Sequence, residues 1–253
     1  AYEIPDAGRN AKGMNLVNLL PIEPDETIQT VFSHSSVDEG NYLLMGTKKG
    51  IVKKTPMKDF VNLRKNGLIA INLREEDELL HVKVTRGDAD LIFVTRDGMA
   101  IQFNEKEIRS MGRASTGVRA IRLRKGDECV TMDIAVDGEK LLIVSENGLG
   151  KRTPLDSFRL QKRGGIGLKA YKVTKKSGKV IAARVTNDED EVMLVNSDGV
   201  AIRMNMDDIA VTSRDSTGVI LMRTAGDATV VSMAKVKKTE EEDTVDVEEI
   251  DDE

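Results

Sequence analysis

The chain has 253 residues, with 38 Lys and Arg against 43 Asp and Glu, two His, one Cys and no Trp. Its formal net charge of −5 points away from nucleic acid and anionic membranes as partners on the whole-chain balance. The single cysteine, Cys129, excludes an intramolecular disulfide and every multi-cysteine metal site, and with neither His34 nor His81 near it in sequence it reads as a small buried hydrophobe. No apolar run approaches the roughly 18 residues of a membrane span. Residues 1–20 lack a secretory pattern, so the class is a soluble cytoplasmic protein with no membrane partner.

Taken in chain order, the elements repeat. An apolar strand running into a glycine turn occurs at 41–50 (NYLLMGTKKG), 89–98 (ADLIFVTRDG), 139–148 (EKLLIVSENG) and 190–199 (DEVMLVNSDG). The closing glycines Gly50, Gly98, Gly148 and Gly199 lie 48, 50 and 51 residues apart. A second glycine opens an alternating strand five times, at Gly13, Gly67, Gly117, Gly167 and Gly218, with spacings of 54, 50, 50 and 51. A third marker is an acidic turn ahead of a further strand, at Asp25-Glu26, Asp77-Glu78, Asp127-Glu128 and Asp227, with Gly178-Lys179 in its place in one copy. Each unit therefore reads as about four strands rich in Val, Ile and Leu, joined by Asp-Gly, Asn-Gly and Lys-Gly turns. In LIFVTRDGMAIQF the alternation passes the turn through Met99, Ile101 and Phe103, as for a hairpin with one buried face; Val200, Ile202 and Met204 repeat it after Gly199. Only short stretches such as 104–110 and 205–211 suit a helical turn.

A period near 50 with four strands per unit fits a propeller-like ring, all-β, with a stack of separate small β-domains as the alternative. Familiar blade signatures are absent: there is no Trp-Asp pair, and three Tyr and five Phe are too few for aromatic anchors. The phase divides residues 1–238 into a partial blade over 1–27, four repeats over about 28–227 and a closing strand over 228–238. That strand either completes the first blade or leaves the ring open. Residues 239–253 carry ten acids and no bases, too little apolar surface to offset ordering, and read as a disordered acidic tail. Without them the body has a net charge of +5, and the tail is suited to compete with an external polyanion for it.

Bases recur at equivalent places. The loops before the second glycine carry Arg9 and Lys12, Arg64 and Lys65, Arg113, Lys162 and Arg163, and Arg214. The first glycine is flanked by Lys48, Lys49, Lys53 and Lys54, then Arg96, then Lys151 and Arg152, then Arg203. Equivalent loops of a cyclic repeat share one rim, so these sixteen residues are expected to form a basic belt for double-stranded DNA, held through phosphates. The loop Arg163-Gly164-Gly165 is expected to add exposed backbone N–H groups. Few aromatics disfavour single strands. No catalytic or metal constellation emerges from two His and one Cys. A propeller serving as a protein-interaction platform would need apolar anchors on its loop tips, which the loops lack.

The repeats resemble the C-terminal β-pinwheel domain of the bacterial DNA gyrase A protein, a six-bladed propeller relative of type IIA topoisomerases. The resemblance runs through residues 1–238, most specifically in LVNLLPIEPDE (16–26), GIVKKTPMKDF (50–60), STGVRAIRLRKGDE (115–128), NGLGKRTPLDSF (147–158) and STGVILMRT (216–224). It implies a six-bladed β-pinwheel, its first blade covered only in part. It also implies duplex wrapping around the outer edge, in support of ATP-dependent negative supercoiling. The implied partners are the rest of gyrase A and the gyrase B protein, in an A2B2 holoenzyme. The chain itself would need no cofactor, since ATP and Mg belong to the rest of that enzyme, as does the DNA-cleaving Tyr. The family's box, QRRGGKG, normally lies in the first blade; residues 161–167, QKRGGIG, resemble its later-blade counterpart. The equivalent domain of topoisomerase IV, which selects DNA crossings, is the alternative.

Overall fold

The structure is a computed structural model that describes residues 11–14, 26–31, 40–62 and 67–237. Most of the partial first blade and the acidic tail lie outside the described residues, as do Arg9, Arg64 and Lys65.

The apolar–glycine–apolar segments form hairpins because each closing glycine has a positive φ and its N–H reaches the carbonyl three residues back. Gly98 (φ 78°) bonds Thr95 at 3.0 Å, and Gly50, Gly148 and Gly199 repeat the bond within 3.1 Å. Each hairpin then gains an inner strand from later in its own repeat. The first sheet holds β1 (Tyr42–Thr47), β2 (Ile51–Pro56) and inner β3 (Leu79–Thr85); the second, β4 (Asp90–Thr95), β5 (Met99–Asn104) and inner β7 (Cys129–Ala135). Outer β6 (Val118–Arg119) pairs with β2, although it belongs to the second repeat. The third sheet holds β8 (Lys140–Ser145), β9 (Leu149–Pro154) and inner β11 (Val180–Thr186), and the fourth β12 (Asp190–Asn196), β13 (Ala201–Asn205) and inner β15 (Val230–Lys237). Outer β10 (Leu168–Lys169) and β14 (Val219–Ile220) again come from the repeat after the one they complete. All pairings within the sheets are antiparallel.

The strand over 228–238, read as either completing the first blade or leaving the ring open, contains β15, which pairs with β12 as the inner strand of the fourth sheet. One expectation changes. Strands β4 and β5 are buried on both faces, not one. The reason is stacking: Leu91 and Phe93 pack with Leu44 and Val52 of the first sheet, whereas Ile92 and Val94 pack with Leu141 and Ile143 of the third. A third core joins Leu142 and Val144 to Val192 and Leu194. Successive sheets thus share cores through alternate residues, as blades do. One-sided alternation survives in β13, where Ile202 and Met204 are half-buried between exposed neighbours, whereas Val200, expected on the same buried face, lies before the strand and is exposed. The helical stretches are single 3₁₀ turns, Glu105–Glu107 and Met206–Asp208 within the expected ranges, plus Met57–Phe60 and Leu155–Ser157.

Borrowing an outer strand requires close backbone approach. Gly167 has φ 76°, and a Cβ there would lie 2.4 Å from the carbonyl oxygen of Ala100; Gly117 and Gly218 meet Val52 and Gly150 in the same way. Gly167→Ala is therefore expected to destabilise the domain by about 2 kcal/mol or more, read as a lowered midpoint in thermal unfolding.

Candidate nucleic-acid interface

The outer edge of each of the first three sheets is built by the following repeat. After its 3₁₀ turn the chain crosses to the preceding sheet, bridging Ser110 to Lys54, Leu160 to Gln102 and Val211 to Arg152. It then loops through the second glycine and returns as the outer strand. The first edge runs over residues 108–124 and the second over 158–172, and each holds five bases and no acid. Along them Arg109, Arg119, Arg122, Arg159, Lys162, Lys169 and Lys172 are exposed, with no side-chain hydrogen bond or ion pair among the described residues. Neighbouring edges are tied together, since the Arg122 N–H donates to the Gly165 carbonyl at 2.7 Å and that of Lys172 to Ser216 at 3.1 Å. The third edge is weaker: Ile220 stands where Arg119 and Lys169 do, Arg223 where Arg122 and Lys172 do, and Asp215 enters its loop.

Of the sixteen expected belt residues, the structure sorts the thirteen described ones into different roles. Lys12 and Lys162 are exposed. Lys53, Lys54, Lys151 and Arg152, expected on the surface, are buried. Two consecutive strand positions point to opposite faces, and here both faces are covered by neighbouring sheets. Lys54 donates to the Glu105 carbonyl at 3.0 Å and faces the Glu105 carboxylate at 3.7 Å; Arg152 donates to the Ile209 carbonyl at 3.0 Å and pairs with Asp188. Lys53 donates to the carbonyls of Ala70 (2.6 Å) and Arg113, and Lys151 to those of Ser213 (2.5 Å) and Arg214 (2.6 Å). Burial above all lowers the pKa of Lys53 and Lys151 to about 8, aided by Arg113 and Arg214 and opposed by Asp59 and Asp215, so both remain charged at neutral pH.

The remaining expected bases lie nearer the surface but have local partners. Lys48 pairs with Glu78 at 2.6 Å, Lys49 with Glu76 at 3.4 Å, and Arg96 with Glu128 at 3.2 Å and Glu146 at 3.5 Å. These acids belong to the turn before the inner strand or to the next hairpin, and Asp77 there also accepts from Thr47 Oγ1 (2.7 Å) and the Lys49 N–H. Arg203 is exposed on β13 and pairs with Glu191. Arg163 and Arg214 act as braces: their guanidiniums donate to the carbonyls of Arg119 (3.1 Å) and Lys169 (3.0 Å), the outer strand of the sheet before. Arg113 is half-buried.

The missed residues had a signal. Counted from the recurring glycine, positions two and five are basic in G-V-R-A-I-R and G-L-K-A-Y-K, giving Arg119, Arg122, Lys169 and Lys172. The first of these positions is exposed on the two-residue outer strand, and the second is exposed just beyond it, after the buried pair Ala120-Ile121 or Ala170-Tyr171.

Elsewhere the reactive groups are quiet. Cys129 is buried, and burial with nearby Asp127 pushes its thiol well up. Tyr171 is buried, donates to Ser145 Oγ at 3.1 Å, and has its phenol raised by burial. Among the described residues no helix is long and apolar enough to cross a membrane. On the inner strands His81 Nε2 lies 2.6 Å from Arg184 Nη1; a guanidinium only donates, so Nε2 accepts and the ring proton sits on Nδ1. Burial, Arg184 and Lys83 lower the His81 pKa to about 4, with Asp133 opposing. The unfolded ring protonates near 6.5 and the folded one near 4. Stability is therefore expected to fall as pH drops between those values, and His81→Gln should flatten that acid limb in denaturant titrations.

Residues 1–35, 41–86, 89–135, 139–187 and 190–237 match the family described as DNA gyrase C-terminal domain, beta-propeller. The chain belongs to this family. Each of the last four matched segments spans one hairpin and its inner strand, and the outer strands of the first three sheets lie in the segment that follows. The DNA gyrase A protein of Clostridium acetobutylicum is 52% identical over 99% of the chain, and that of Escherichia coli 37% identical over 97%. The chain spans 30% and 28% of those relatives' lengths. Among solved structures, the C-terminal domain of DNA topoisomerase IV superposes with a TM-score of 0.84 at 27% identity, covering 89% of this chain and 71% of that one. A DNA gyrase A C-terminal domain superposes with 0.80 at 29% identity, covering 89% and 76%.

Proposed function

We propose that this chain is the non-catalytic duplex-DNA-binding and wrapping module of a DNA gyrase, and that it presents a wrapped segment for ATP-dependent negative supercoiling. The observation that supports it is the pair of acid-free edges carrying Arg109, Arg119, Arg122, Arg159, Lys162, Lys169 and Lys172 without internal partners. Their charges recur at the repeat spacing along tied edges, which suits a bent, evenly charged polymer read through its phosphates. Smoothly bending duplex by 40–90° costs on the order of 1–6 kcal/mol, which many such contacts offset. The gyrase role is favoured over topoisomerase IV by the 52% identity to a gyrase A protein over nearly the whole chain, since the two folds superpose almost equally well. In this reading the partners are duplex DNA and the rest of an A2B2 gyrase in the bacterial cytoplasm, and ATP, Mg and strand cleavage belong to the rest of the holoenzyme.

The test is equilibrium binding to linear duplexes of unrelated sequence over a salt series. Affinity should fall steeply and log-linearly with salt, with little dependence on sequence. Salt-insensitive binding, or no binding at low salt, would overturn the reading.

A further inference from the structure

The loops that carry the outer edges are not held in the same way: those over 111–117 and 211–218 have a lysine ammonium beneath them (Lys53 and Lys151) and leave open the two N–H groups that the loop over 161–167 fills, and of these two only 111–117 carries no acid. In the loop over 161–167, the Arg163 N–H donates to the Glu107 carboxylate at 2.9 Å and the Gly164 N–H to the Ala120 carbonyl at 2.6 Å. The loop over 111–117 is its equivalent one repeat earlier, with Arg113 and Ala114 at those positions and Ala70 in the place of Ala120. There the Ala70 carbonyl accepts from the buried Lys53 ammonium, which also takes the Arg113 carbonyl. The neighbouring carbonyls are filled as well: Gly112 accepts from Ser115 Oγ (2.9 Å), Ala114 from Asn72 Nδ2 (3.0 Å) and Ser115 from the Asn72 N–H (3.1 Å). Four consecutive carbonyls are thus satisfied from within. The N–H groups of Gly112, Arg113, Ala114 and Thr116 have no acceptor among the described residues.

We propose that the Gly112–Thr116 loop is a backbone anion site, a nest of N–H groups over the buried Lys53 ammonium that takes a phosphate-type oxyanion. Lys53 fills the Ala70 carbonyl, the counterpart of the one that the Gly164 N–H uses, and places a positive charge beneath the loop. In the second sheet Ile101 stands at the Lys53 position, packs under Gly165 and cannot take a carbonyl, so the Gly164 N–H closes on Ala120. The Arg163 N–H bond to the Glu107 carboxylate shows that the matching N–H at this point of the loop can donate to an anionic oxygen. Asp59, which aligns with Glu107, makes no such bond to Arg113. Successive N–H groups turned outward over a cation are a known way to hold phosphate oxygens. The site rests on the duplex reading for its source of phosphate, a backbone phosphodiester of DNA, whereas a free inorganic oxyanion would use the same donors.

The experiment follows backbone amide resonances of the full chain during titration with inorganic sulfate and, separately, with a short duplex. Sulfate should shift Gly112, Arg113, Ala114 and Thr116 while Arg163 and Gly164, already bonded, stay still. Lys53→Ile, which copies the Ile101 arrangement and so should fold, is expected to weaken the sulfate response about tenfold or more. Duplex should move the same four amides. If sulfate moves them and duplex neither moves them nor binds, the anion site stands and the DNA reading falls. If duplex binds with the four amides silent, or if they respond to sulfate no more than Arg163 and Gly164 do, the site is overturned. That comparison within the wild-type chain decides the matter even if the variant does not fold.

Discussion

Replacing Arg119, Arg122, Lys169 and Lys172 together by Gln is expected to weaken duplex binding about a hundredfold or more at moderate salt and to flatten the salt dependence by about 3–4 in the log–log slope. Each neutralised phosphate contributes roughly 0.9 to that slope, and these four side chains have no internal partner that would change with them. Their backbone anchors, the Arg122 bond to Gly165 and the Lys172 bond to Ser216, use main-chain atoms and survive the substitution. Thermal stability should therefore hardly change. The comparison is Lys48, Lys49 and Arg96 changed together to Gln: their charges are already balanced by Glu78, Glu76, Glu128 and Glu146, so the slope should fall by less than about 1. A larger loss from that trio than from the edge quartet would place the DNA path on the hairpin turns and off the outer edges.

How these sets differ shows what could be read from residues alone. The period, the hairpins and their glycines were legible because turn chemistry is local: a positive φ at Gly98 needs nothing beyond its own hairpin. The exchange of outer strands was not, since β6 is two residues long and pairs across a repeat boundary. Lys53, Lys54, Lys151 and Arg152 were misplaced because long charged side chains are seldom buried, and each donates to main-chain carbonyls that leave no trace in residue identity, while the acids facing Lys54 and Arg152, Glu105 and Asp188, are distant in sequence. One sign was available. Each pair lies inside a strand between apolar or small residues, IVKKTP and LGKRTP, where the next positions, Thr55 and Thr153, are also buried. The Arg163-Gly164-Gly165 loop had suggested free amides; two of its three N–H groups are occupied, and the N–H groups at the same two positions, Arg113 and Ala114, are open in a loop with fewer glycines.

Lys54→Met should be the most damaging single charge removal in the described part of the molecule, because it unpairs a carboxylate that has no route to water. Glu105 is fully buried; its oxygens accept from Thr85 Oγ1 at 2.9 Å and the Ala89 N–H at 2.8 Å, and Lys54 supplies the cation at 3.7 Å. Removing one member of a buried pair typically costs about 3–5 kcal/mol, and a loss in that range is expected in denaturant unfolding. Glu105→Gln added to Lys54→Met should recover part of it, with a coupling of at least about 1 kcal/mol, since the amide oxygen can keep one hydrogen bond without a buried charge. Lys54 belongs to the first repeat and Glu105 to the second, so the pair ties one blade to the next where the chain crosses to build the outer edge. Variants that remain folded should bind duplex with an unchanged salt slope, because the lost charge never faced solvent. A reduced slope in the folded Lys54→Met protein would instead return Lys54 to the phosphate path.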